Sequence, residues 1–104
     1  MFDNLSKAQE IYETDPERAH SLINEGIDYY KTRKDYTWLG YFYDIKAEFY
    51  KKEKRTEYPD VRQRECIQWE KADNDLNLER CYWYLQIYYY DELEYKTAKE
   101  YAIK

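Results

Sequence analysis

Glycine and proline are nearly missing from this sequence: Gly26, Gly40, Pro16 and Pro59 are all that 104 residues contain. Sheet proteins turn often and need residues that tolerate positive φ at those turns, so two glycines argue against a β architecture. They also cannot form a glycine-rich phosphate loop. Histidine occurs once, as His20, and cysteine twice, as Cys66 and Cys81. A zinc site needs four converging N or S ligands, more than these three residues supply. No apolar run approaches the roughly 18 residues of a membrane span. Met1 to Gln9 lacks the basic-then-apolar order of a secretory leader. These absences point to the cytoplasm, with both thiols reduced and packed inside rather than bridged.

Tyrosine is what the chain has in excess. Fifteen tyrosines, three tryptophans and three phenylalanines make it 20 % aromatic, although 38 % of it is charged and its mean hydropathy is −1.16. Disordered segments are poor in aromatics. A tyrosine ring buries a large face while its hydroxyl reaches water or a partner, so a polar chain of this kind can still fold. The length fits one domain, residues 1–104. A net charge of −5 favours solubility and disfavours a nucleic-acid phosphate backbone as partner.

Helical spacing dominates the pattern and gives an all-α chain. A first helix is expected over 4–14, with Leu5, Ala8, Ile11 and Tyr12 on one face. Thr14-Asp15-Pro16-Glu17 is a start signal for a second that runs to about Arg33: a capping residue, a proline whose missing N–H is harmless in the first turn, then an acid. Asp35 can cap a third helix over 36–55, and Tyr58-Pro59-Asp60 opens a fourth over 60–73. Asn74-Asp75-Leu76-Asn77 is a capping-rich turn before a last helix from about 78 onward. Sliding the sequence by 46 residues pairs Ile23 with Trp69, Gly26 with Ala72, Tyr36 with Tyr82, Leu39 with Leu85 and Phe49 with Tyr95. Such a match is the mark of a helical repeat.

Tyr36, Leu39-Gly40 and Tyr43 resemble the first helix of a tetratricopeptide repeat, and Tyr82, Leu85, Tyr89, Tyr95, Ala98 and Tyr101 resemble it again. Ala19, Ile23 and Gly26 are similar to its second helix, where small residues let two helices approach. Glu65 stands where that helix expects a small residue. The spacing of 46 also departs from the 34 usual in the family. The resemblance implies antiparallel helical hairpins in a right-handed superhelix of about two to two and a half repeats. Long helices rich in tyrosine, such as Cys81 to Tyr90, are similar more narrowly to the peptide-sensing regulators of Gram-positive bacteria (the Rap, PlcR and Rgg type).

No constellation of residues reads as catalytic. A cysteine nucleophile needs a base, and only His20 could serve. His20 reads as a polar helix-face residue beside Ala19, and the carboxylates, Glu65 and Glu70 among them, read as solvated. The chain is therefore not expected to be an enzyme, nor to carry a cofactor or metal. Lys51, Lys52, Lys54, Arg55, Arg62 and Arg64 make a basic stretch diluted by Glu53, Glu57 and Asp60, which reads as a solvated helix end.

The last helix carries aromatics on all sides, more than one core can absorb. Spacing puts Tyr82, Leu85 and Tyr89 inward and leaves Trp83, Ile87 and Tyr90, extended by Arg80 and Tyr84, on a second face. On the equivalent helix that face holds Thr37, Tyr41 and Asp44, with Trp38 beside it. In tetratricopeptide domains this face lines the groove that holds peptides, and rigid aromatics and Arg dominate binding energy at interfaces. The expected function is a scaffold that grips a protein or peptide. The alternative is a small protein acting through oligomerisation, such as a homodimer or a phage- or plasmid-borne blocker of a host protein. A third reading is a piece of a larger regulator.

Overall fold

The computed structural model describes residues 3–103, and side-chain surroundings as far as Glu92. Five helices follow one another: α1 (Asp3–Ile11), α2 (Pro16–Thr32), α3 (Tyr36–Lys52), α4 (Tyr58–Lys71) and α5 (Asp75–Ile103). No strand occurs among the described residues. All five expected helices are present; α1, α3 and α4 end two or three residues before the expected positions, and α4 and α5 begin two or three residues before theirs. The α5 helix continues through Asp91 to Glu94. The matches expected at Tyr95, Ala98 and Tyr101 concern side chains outside the described residues.

Local chemistry explains where the helices start. The Asp15 carboxylate accepts from the Arg18 amide at 3.1 Å, Asp35 accepts from Trp38 at 3.2 Å, and Asn74 accepts from Asn77 at 3.0 Å. Each satisfies one of the orphan amides of a first turn. Pro16 and Pro59 occupy the first turns of α2 and α4, where their missing N–H is tolerated.

The helix ends follow one design without glycine. Lys34, Lys54 and Asp73 lie in the left-handed region, at φ 54°, 54° and 56°. After α2, the Lys34 amide donates to Lys31 O and Asp35 to Tyr30 O; after α3, Lys54 donates to Lys51 O and Arg55 to Tyr50 O; after α4, Asp73 donates to Glu70 O and Asn74 to Trp69 O. This is the Schellman pair of bonds, made three times. The turns Arg33-Lys34-Asp35 and Ala72-Asp73-Asn74 are equivalent, each ending on the cap of the next helix. They lie 39 residues apart, as do the starts of α3 and α5. The starts of α2 and α4 lie 42 residues apart, so neither helix pair keeps the expected offset of 46, which is seven too long for α3 and α5. Seven residues are nearly two full helical turns, so a shift of that size realigns apolar faces and hides the error.

Residues equidistant from a turn meet, so successive helices run antiparallel. A Cβ added to Gly26 of α2 would run into the Phe42 ring of α3, and one added to Gly40 would lie 2.7 Å from the Trp69 indole of α4. Cys66 of α4 and Cys81 of α5 are joined as a disulfide, with Cα atoms 5.7 Å apart. That corrects the expectation of two reduced thiols. The two cysteines are equidistant from the α4–α5 turn, and the hairpin brings them level.

The core has two parts. The larger is built by Ala8, Leu22, Ile23, Ile27, Leu39, Phe42, Ala47 and Phe49 of the first three helices with Tyr12 of the first loop, closed by Tyr58 and Val61. The smaller, between α4 and α5, consists of Cys66, Trp69, Cys81 and Leu85, with Leu78 against it. Tyr82 and Tyr89 are half exposed, so the inward stripe of α5 is Leu78, Cys81 and Leu85 rather than Tyr82, Leu85 and Tyr89. On a helix with aromatics all round, sequence pattern leaves the phase of the buried stripe open, and the partner helix decides it.

Candidate partner-binding surface

The two cores meet at a buried charge cluster on α4. Arg62 and Glu65 are both fully enclosed, and Arg62 Nη1 donates to Glu65 Oε1 at 2.7 Å. The same guanidinium donates to Asp44 of α3 at 2.6 Å, to Glu48 at 2.6 Å and to the Tyr58 hydroxyl at 3.1 Å. Its carbon lies 4.6 Å from the centre of the Tyr84 ring on α5. The Trp69 indole N–H donates to the other Glu65 oxygen at 2.8 Å. Burial alone would make Arg62 easier to deprotonate, but the hydrogen bond and charge of Glu65, with Tyr58, outweigh it and hold the cation firmly. Burial and the Asp44 charge raise the Glu65 carboxyl above its ordinary range, against the pull of Arg62 and Trp69. Three carboxylates surround one cation, so Glu65 is the group on which the excess negative charge falls.

Arg62 and Glu65 are thus not the solvated residues that their charge suggests. Arg62 leaves the basic stretch altogether. Lys51, Lys54 and Arg55 remain at the rim of a cavity of about 350 Å³, walled by Tyr58 and Tyr88 and closed by Thr56 and Glu92. The spacing Arg62, Glu65, Trp69 (three, then four residues) was the available signal, because it puts all three on one helical face.

His20 is likewise more than a polar helix-face residue. Its Nε2 lies 2.6 Å from Glu53 Oε2, to which the Tyr12 hydroxyl also donates at 2.6 Å. Arg55 pairs with the other Glu53 oxygen at 2.8 Å. Burial alone would raise the Glu53 carboxyl, but hydrogen bonds from Tyr12 and His20 and the nearby positive charge lower it below its usual value. This cluster ties the first loop and α2 to the end of α3. Among the described residues no three His, Cys, Asp or Glu side chains are grouped as a metal site.

The expected surface residues divide into two sets. On α3, Thr37 is exposed, and Trp38 is half-buried and stacked on Tyr30 with centroids 5.7 Å apart. Tyr41 sets its edge against the Trp69 ring at 5.0 Å, and Asp44 is engaged by Arg62. On α5, Arg80 is exposed, Ile87 is half-buried, and Tyr84 leans on Arg62. Trp83 and Tyr90 are 57 % and 61 % exposed. The α3 and α5 helices do not pack on one another among the described residues, because α4 lies between them. Tyr41, Asp44 and Tyr84 nevertheless converge on the same α4 stripe, Arg62 to Trp69. Asp44 and Tyr84 face that stripe, while Trp83 and Tyr90 lie on the side of α5 opposite Cys81 and Leu85.

Sequence spacing also missed half of the exposed aromatic set on α5. Tyr82 and Tyr89, assigned to the core, are 48 % and 50 % exposed. With Trp83 and Tyr90 they form two adjacent aromatic pairs, seven residues apart and so nearly in line along the helix. No family model, curated protein or solved structure matches this chain.

Proposed function

We propose that this protein is a binding module that grips a protein or peptide through the aromatic surface of α5. The observation that carries this reading is the quartet Tyr82, Trp83, Tyr89 and Tyr90, each about half exposed on one side of one helix. Single exposed apolar residues are ordinary, but a contiguous aromatic patch is costly to leave in water and marks an interaction site. Trp and Tyr are also the residues that dominate interface energetics. The antiparallel helices and their repeated turn support a tetratricopeptide-like superhelix of about two to two and a half repeats. Arg80 and Ile87 would border the surface on α5, while Thr37, Trp38 and Tyr41 stand apart from it on α3, with α4 between.

No described helix is long and apolar enough to cross a membrane, and the reading places the module in the cytoplasm. Thiol reductants there keep most cysteines reduced, so the Cys66–Cys81 bridge would form only transiently in that compartment. The test is capture from the protein's own cells with wild type and with a Trp83→Ala/Tyr90→Ala variant. A partner identified this way should then bind the purified wild type and lose at least tenfold in affinity for the variant. Far-UV circular dichroism should stay helical, because both side chains lie outside the core. Equal binding by the folded variant would remove this surface from consideration.

A further inference from the structure

The exposed quartet has a symmetry that points to its occupant. Tyr82 and Trp83 precede Gln86 by four and three residues, and Tyr89 and Tyr90 follow it by three and four. The intervening residues repeat the symmetry: Leu85 is answered by Ile87 and Tyr84 by Tyr88. Gln86 itself is exposed. At 100° per residue, Gln86 sits midway between the line of Tyr82 and Tyr89 and the line of Trp83 and Tyr90, so it centres the stripe.

We infer that this stripe is the contact between two copies of the chain, with the two α5 helices crossing antiparallel at Gln86. This rests on the reading of the α5 aromatics as a binding surface and names what they bind. In a two-fold contact the same patch serves both partners, so it must be complementary to itself. An antiparallel pair about Gln86 sets Tyr82 and Trp83 of one copy level with Tyr89 and Tyr90 of the other. Every aromatic residue then meets an aromatic residue. A parallel pair would instead bring Glu79 against Glu79, since Glu79 is seven residues before Gln86 and shares its face. Like charges meeting in that way disfavour the parallel register.

The area suits a weak, reversible dimer. Aromatic side chains bury about 150–250 Å² each, so four of them at half exposure leave on the order of 400 Å² per copy. Two copies supply about 800 Å², short of the roughly 1,000 Å² that a stable interface must clear, so the contact is a weak one that forms at micromolar concentration. Gln86 and half-buried Ile87 add to that total.

Sedimentation equilibrium from 1 to 200 µM tests the inference on the full chain. Wild type should dimerise in that range. Gln86→Glu puts two carboxylates at the dyad and should weaken the dimer at least tenfold, while Gln86→Leu should tighten it. Gln86 is exposed, so both variants should keep the wild-type circular dichroism. A wild type that stays monomeric at 200 µM overturns the inference, as does a dimer whose affinity neither variant changes. If a monomeric chain still binds another protein in a way that depends on Trp83 and Tyr90, the binding-module reading stands and only the self-association fails. If the dimer forms as described and no other partner depends on Trp83 or Tyr90, the occupant is the second copy alone.

Discussion

Arg62 and Glu65 face each other at 2.7 Å with neither side chain reaching solvent, in a chain whose other charges lie mostly outside. Taking two charges out of water costs several kcal/mol each, and the mutual attraction offsets this only when the remaining donors and acceptors are also satisfied. Here they are: Tyr58, Asp44, Glu48 and Trp69 complete the set. Removing one partner strands the other. Arg62→Met is therefore expected to cost roughly 3–5 kcal/mol of stability. Adding Glu65→Gln should recover part of it, because the amide carbonyl still accepts from Trp69 without carrying a charge. Urea unfolding of the two single variants and the double variant measures the coupling. A double variant as unstable as the sum of the singles would contradict it.

The two glycines make a prediction that opposes helix propensity. Alanine is better than glycine in a helix interior by about 1 kcal/mol, yet Gly26 faces the Phe42 ring and Gly40 the Trp69 indole at contact distance. A methyl group there must push an aromatic ring that is itself fully buried. Gly26→Ala and Gly40→Ala should each lower stability by about 1–3 kcal/mol. Thermal melts of either variant at or above the wild-type midpoint would mean that the helices can separate without penalty.

The helix ends predict the opposite sign. Lys34, Lys54 and Asp73 hold a left-handed backbone, which costs a side-chain-bearing residue about 1 kcal/mol or more and glycine nothing. Lys34→Gly should raise stability by about 0.5–1 kcal/mol, whereas Lys31→Gly, inside α2, should lower it by a similar amount. The comparison checks the conformation itself, because both positions are exposed lysines three residues apart. Equal effects at the two sites would contradict the Schellman turn.

Much of this backbone was legible in the sequence because its signals are local. Asp15, Asp35, Asn74, Pro16 and Pro59 mark helix starts by chemistry that needs no tertiary contact. The errors lie where the decision is made by a neighbouring helix. Arg62 and Glu65 look solvated because a charged side chain carries no mark of its burial, and only Asp44, Glu48 and Trp69 on their positions around α4 reveal it. Tyr82 and Tyr89 look like core because they stand three and four residues from Leu85. The disulfide fixes the facing side of α5 at Cys81 instead. The charged pair was signalled by the spacing of Arg62, Glu65 and Trp69 along one helical face and by the poor fit of Glu65 at a position where a small residue was expected.

Tyr12 gives the pH prediction. Burial first, then the hydrogen bond and charge of Glu53, push its hydroxyl from 10 up to about 12. The folded chain holds that proton more tightly than the unfolded chain does. The resulting stability is fully present below pH 10 and is lost as pH rises toward 12. Two units correspond to roughly 2–3 kcal/mol over that window. Tyr12→Phe is less stable at pH 8, having lost the bond to Glu53, but it lacks this term. The gap between wild type and Tyr12→Phe should therefore narrow steadily in urea titrations from pH 9 to pH 11. A gap that does not change with pH would show that Tyr12 titrates normally.

The Cys66–Cys81 bridge governs how firmly α5 is held. Apart from the bridge, the described part of α5 is held by a small core of Trp69 and Leu85 with Leu78, by the Arg62 guanidinium against the Tyr84 ring, by the Tyr58–Tyr88 ring contact, and by Gln63 donating to the Tyr89 hydroxyl at 3.3 Å, among other contacts. A link across 15 residues stabilises by about 3 kcal/mol, chiefly by restricting the unfolded chain. Reduction should therefore lower the melting temperature. The loss should also be uneven, since the larger core of α1 to α3 contains neither cysteine. Hydrogen exchange followed by mass spectrometry, with and without dithiothreitol, should show the amides of 78–90 opening ahead of those of α2 and α3. Cys66→Ser/Cys81→Ser should reproduce the reduced pattern without reductant. Uniform loss of protection along the whole chain would mean that the two cores unfold as one unit, and that α5 is not separately secured by its disulfide.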